Sequence, residues 1–113
     1  MKEQLTLNEY QEAANKTAIY PVGRGAITYT ILGLNGEAGE LANKLKKVIR
    51  DDGGVISEAK GLDMAAELGD VLWYVSMVAR ELGFSLEDIG EMNLEKLSSR
   101  MSRGKLSGSG DDR

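Results

Sequence analysis

The chain has 113 residues, enough for one hydrophobic core and one domain, and carries a formal net charge of −4. It holds no histidine and no cysteine, which excludes Ser-His and Cys-His nucleophile pairs, disulfides, and zinc sites built on imidazole or thiolate. Chemistry must then rest on carboxylates, lysines, hydroxyls or a hard metal held by oxygen, and the acidic balance argues against a nucleic-acid backbone as partner.

In chain order, Thr6 and Glu9 have the spacing of a capping box and open a helix expected to reach about Tyr20. Pro21-Val22-Gly23-Arg24-Gly25 breaks it. A long helix follows from about Ala26 to Arg50, with Ile31, Leu34, Ala38, Leu41, Leu45 and Val48 on one apolar stripe. After the turn Asp51-Asp52-Gly53-Gly54, a third helix spans roughly Ser57 to Leu82, its stripe formed by Met64, Leu68, Val71, Val75, Val78 and Leu82. Gly83 terminates it, and Ser85 with Asp88 caps a fourth helix reaching about Met101. The expected fold is all-α, a four-helix-type bundle over residues 1–103, followed by a flexible Gly/Ser-rich tail over 104–113. Wide stripes on a short bundle predict a homo-oligomer. No apolar run approaches the roughly 20 residues of a membrane span. With no signal-like start at Met1-Lys2-Glu3-Gln4, a cytoplasmic protein without membrane partners is expected.

The second helix carries Glu37 and Glu40 three residues apart, and the third carries Glu67 and Asp70 in the same relation. Each carboxylate precedes a stripe residue by one position, so all four flank the packing seam and can converge if the helices pair. A single such pair is ordinarily a solvated helix face. Two pairs beside one seam repel at close range, by about 4 kcal/mol per contact at an effective dielectric of 20. A divalent cation reverses that cost, and an oxygen-only donor set suits Mg²⁺, with Mn²⁺ as a substitute. Gly33, Gly36, Gly39 and Gly69 lie inside the same helices, each costing roughly 1 kcal/mol relative to alanine, and imply close approach or open room there.

Basic groups complement this acidic set. Lys44 and Lys47 continue the Glu37/Glu40 face, where the plainer role is intrahelical support, Glu40 to Lys44 being the favourable order. On the fourth helix Asn93, Lys96, Arg100 and Arg103 form a polar-basic stripe suited to phosphates. Tyr74 shares the Asp70 face, beside Trp73, and is a candidate to stack on a base or bond a sugar, although tyrosines so spaced are mostly packing residues.

These residues resemble the MazG-like nucleotide pyrophosphohydrolases of the all-α NTP pyrophosphatase superfamily, from about Leu32 to the C-terminus. The resemblance runs through Leu32-Gly33-Leu34-Asn35-Gly36-Glu37-Ala38-Gly39-Glu40-Leu41, Glu67-Leu68-Gly69-Asp70-Val71-Leu72-Trp73-Tyr74, Asn93-Leu94-Glu95-Lys96-Leu97-Ser98-Ser99-Arg100 and the closing Gly108-Ser109-Gly110-Asp111-Asp112-Arg113. It implies that Glu37, Glu40, Glu67 and Asp70 hold Mg²⁺, that Glu37 or Glu40 orients the attacking water, and that Asn93, Lys96 and Arg100 contact the nucleotide. The implied reaction cleaves a nucleoside triphosphate between its α and β phosphates in a homodimer or homotetramer. The tail is expected to order over bound nucleotide through Arg113 and its glycines. The alternatives are a phosphoribosyl-ATP pyrophosphohydrolase-like enzyme and a non-catalytic, metal-stabilised helical module.

Overall fold

The structure is a computed structural model and describes residues 3–113. Among these residues it has four α-helices and no strands: α1 (Leu7–Asn15), α2 (Gly25–Asp52), α3 (Glu58–Glu81) and α4 (Leu86–Ser102). Three helix starts use the side chains the sequence offers. At α1 the Thr6 hydroxyl accepts from the Glu9 N–H at 3.1 Å and the Glu9 carboxylate accepts from the Thr6 N–H at 3.1 Å. Ser57 caps α3 through the Lys60 N–H at 3.2 Å. Ser85 and Asp88 form the second reciprocal box, at 3.0 Å in both directions. Gly53 ends α2 at φ 63°, and Gly83 follows α3 at φ 86°, both in the left-handed region that glycine adopts without a Cβ penalty.

The first helix stops at Asn15, short of the expected Tyr20. Thr17 turns its hydroxyl back onto the Ala14 carbonyl at 2.7 Å and accepts from the Trp73 indole N–H at 2.9 Å. That side chain competes with the backbone for the final turn. The freed segment carries Tyr20 across to α3, where its hydroxyl donates to Glu81 at 3.0 Å.

The second and third helices form an antiparallel hairpin that makes most of the interhelical contact. The first and fourth helices gather at the end of α3, and no Cα of α4 comes within 8 Å of α2 among the described residues. Gln11 of α1 joins that corner, donating to the Ser76 and Phe84 carbonyls and accepting from the Leu86 N–H. The buried apolar core is correspondingly small: Ala14, Ala26, Val48, Met77, Ala79 and Leu86. Parts of the expected stripes face outward, with Ile31 48% and Leu68 57% exposed. The chain is open in shape, its radius of gyration 17.0 Å against about 13 Å for a compact domain of this size. None of the described helices is long and apolar enough to cross a membrane.

Candidate functional site

Antiparallel pairing sets the middle of α2 against the middle of α3, and carboxylates meet there. One oxygen from each of Glu37, Glu67 and Asp70 lies within 4.8 Å of the others. Glu40, one turn along α2, is exposed and outside this group. The three are held on rigid helices, so their spacing does not depend on loop conformation.

Crowding shows in the proton affinity of Glu37. Its carboxyl is held above the ordinary carboxylate value, first by removal from water, then by the hydrogen bond to Glu67 that its protonated form gains, then by the negative charges of Asp70, Glu67 and Glu40. Glu67 is largely enclosed, its side chain 16% exposed. One of its oxygens pairs with the Lys44 ammonium at 3.0 Å, and the other, Oε2, is buried without a hydrogen-bond partner. Oxygen-only donors, mutual repulsion and an orphaned buried oxygen together fit a hard divalent cation. Glu37, Glu67 and Asp70 are the residues placed to hold it.

Lys44 bridges to the acidic set and does not stand apart from it. Its ammonium lies 2.8 Å from Asp63 as well as 3.0 Å from Glu67. The hydrogen bond with Asp63, followed by that with Glu67, raises its pKa and keeps it charged. Asp63 lies one turn before Glu67 on α3, outside the E-x-x-D spacing, so only the pairing of the helices makes it visible. Beyond Lys44, the lysines 47 and 60 with Val48, Asp63 and Met64 line a cavity of 250 Å³.

Tyr74 lies one turn after Asp70, and its ring packs directly against Gly33, where an added Cβ would overlap it. Trp73 meets that ring edge-on at 4.9 Å and also meets Tyr20, which stacks on Tyr29 at 5.5 Å. An aromatic wall therefore flanks the carboxylates. The clearance anticipated at Gly33 has this cause, while added methyl groups at Gly36, Gly39 and Gly69 would meet nothing within 4 Å.

The basic stripe of α4 is divided by the fold. Asn93 and Lys96, with Ile89 and Met92, line an open depression of 290 Å³. Arg100 is 5% exposed and turned beneath the C-terminal tail. One protomer brings Glu37, Glu67, Asp70, Lys44 and Tyr74 together on the hairpin, whereas Asn93, Lys96 and Arg100 lie on α4, which packs on α1 and α3 and has no Cα within 8 Å of α2.

The comparisons with known proteins agree with this helical arrangement. The family described as MazG nucleotide pyrophosphohydrolase domain matches residues 26–104, taking in α2, α3 and α4. The Gene 37 protein of Mycobacterium phage L5 is 50% identical over 110 residues, covering 92% of this chain and 96% of its own length. No solved structure matches the chain. With the family match spanning well over half its length, and with paired carboxylates on an all-helical hairpin, the chain belongs to the MazG nucleotide pyrophosphohydrolase family.

Proposed function

We propose that this protein hydrolyses nucleoside triphosphates, ribo- or deoxyribo-, between the α and β phosphates, releasing the monophosphate and pyrophosphate with Mg²⁺ or Mn²⁺ as cofactor. The observation that carries the reading is the convergence of Glu37, Glu67 and Asp70 on one hairpin of a nucleotide pyrophosphohydrolase domain. A divalent cation bound by these carboxylates neutralises phosphate charge and polarises the phosphoryl group. Glu37 or Glu40 orients the attacking water and takes its proton, Glu40 from the exposed edge of the cluster. Lys44 steadies Glu67 and presents positive charge toward the phosphates. Tyr74 and the adjoining aromatic rings form a wall for the base or sugar.

Asn93 and Lys96 meet the nucleotide from α4. Since α4 stays away from α2 within one protomer, they reach a carboxylate cluster in a homodimer or homotetramer. The exposed apolar surface of the hairpin supports such an assembly, including a groove of 480 Å³ lined by Leu68, Gly69, Val71, Leu72 and Val75. The role is one of nucleotide-pool maintenance in the cytoplasm.

The test is pyrophosphate release from a panel of canonical and modified NTPs and dNTPs with Mg²⁺, Mn²⁺ or EDTA. Metal-dependent release with the monophosphate as co-product is expected. A melting temperature raised by Mg²⁺ with no release from any nucleotide would instead identify a non-catalytic, metal-stabilised module.

A further inference from the structure

Resting on the reading of Lys96 as a phosphate contact, we infer that the C-terminal tail is a positioning element for that lysine and that Asp111 is the residue through which it acts. Arg100 is the anchor. Its side chain is buried, and its Nη2 donates to Asp111 twice, to the backbone carbonyl at 3.0 Å and to Oδ1 at 3.2 Å. A buried guanidinium needs a counter-charge, and Asp111 is its only ion-pair partner among the described residues. The same Oδ1 lies 3.2 Å from the Lys96 ammonium, one turn earlier on α4. One carboxylate thus ties an inward-facing arginine to an outward-facing lysine.

The tail is shaped to deliver that carboxylate. Glycine and serine alone would leave it without fixed form. Arg113 closes it into a ring, its guanidinium donating to the carbonyls of Lys105 at 3.1 Å, Gly110 at 2.5 Å and Leu106 at 3.4 Å. The Arg113 carbonyl in turn accepts from Arg103 at 3.0 Å. Gly108 and Gly110, at φ 110° and 82°, allow the turns this ring requires. Arg113, expected from the sequence to face phosphates, is therefore spent inside the tail.

Lys96 is the member of the stripe that benefits. It lines the open depression with Asn93, Ile89 and Met92. An ammonium has three donors, and Asp111 engages one side of it, leaving donors for a phosphate oxygen. A long lysine stem loses rotamer freedom when it grips a ligand, and a carboxylate already holding it takes part of that loss beforehand.

The experiment uses the full chain with Asp111→Asn, Asp111→Glu, Lys96→Ala and the double variant Lys96→Ala/Asp111→Asn. Steady-state kinetics and calorimetric binding of pyrophosphate are measured on each. Asp111→Asn is expected to raise KM and weaken pyrophosphate binding by about three- to tenfold, the range of a partly exposed ion pair, with kcat within about twofold. Asp111→Glu should recover part of the loss, and in the Lys96→Ala background Asp111→Asn should add nothing. An undiminished Asp111→Asn penalty without Lys96 would make the tail merely structural and overturn the inference. Tighter pyrophosphate binding by Asp111→Asn would overturn it as well, showing that the tail carboxylate competes with phosphate. Pyrophosphate binding separates this inference from the hydrolase reading. Lys96-dependent weakening in a protein that cleaves no nucleotide upholds the tail's role alone, whereas cleavage with unchanged Asp111→Asn binding and KM upholds the hydrolase alone.

Discussion

At Gly33 the missing Cβ lets the Tyr74 ring lie on the α2 backbone, one turn from Glu37 on its own helix and one turn from Asp70 on the other. Gly33→Ala forces that ring aside, and overpacking of this kind costs about 1–3 kcal/mol. Thermal denaturation should register the loss, and Mg²⁺ titration should show weaker binding because the carboxylates shift with the ring. Asp70→Asn acts differently. Removing one of three mutually repelling charges should leave the melting temperature in EDTA unchanged or higher, while abolishing both Mg²⁺-dependent stabilisation and turnover. Proton linkage gives a further test. The Glu37 carboxyl is raised above its unfolded value by burial, the Glu67 hydrogen bond and neighbouring charges. The stability it lends is therefore present at low pH, below the unfolded carboxylate range, and is lost as pH rises through the higher folded value. The metal-free protein should lose melting temperature over that interval, and Mg²⁺ should restore more at neutral than at acidic pH. Glu37→Gln should flatten both curves. At this scale helical spacing placed all four carboxylates beside the seam; Glu37, Glu67 and Asp70 meet there, whereas Glu40, expected among them, stays exposed outside the group. Asp63 was not legible, because its contact with Lys44 spans two helices and belongs to no local pattern.

Helix starts follow local rules, which is why Thr6–Glu9 and Ser85–Asp88 could be read directly as caps, and Ser57, read as the start of the third helix, proves to cap it. Ser85→Ala should cost about 1 kcal/mol and loosen the start of α4, measurable as a lower denaturation midpoint and faster amide exchange in Leu86–Ile89. The end of α1 was misplaced because its decisive contact, Trp73 on Thr17, lies 56 residues away in sequence. The apolar stripes were found, but periodicity does not say what covers them. Val48 is buried within the protomer while Leu68 and Ile31, on comparable stripe positions, are not. The basic stripe of α4 was likewise legible as a pattern, whereas the inward turn of Arg100 depends on where the tail folds.

Over the whole molecule, a small buried core and an extended outline leave the hairpin's apolar groove uncovered. If oligomerisation covers it, Leu68→Glu should shift the sedimentation coefficient toward that of a monomer and reduce turnover together with assembly. Loss of neither would place the interface elsewhere. The separation of α4 from α2 carries a genetic consequence. If phosphate contacts and carboxylates reach each catalytic centre from different copies, a dead protein should repair a weakened one. Mixing Asp70→Asn, which abolishes turnover, with Lys96→Ala, which raises KM, and allowing subunit exchange creates hybrids in which one centre receives every intact residue, and activity at low substrate should exceed the sum of the two parents. No gain after proven exchange would mean that each α4 serves its own hairpin.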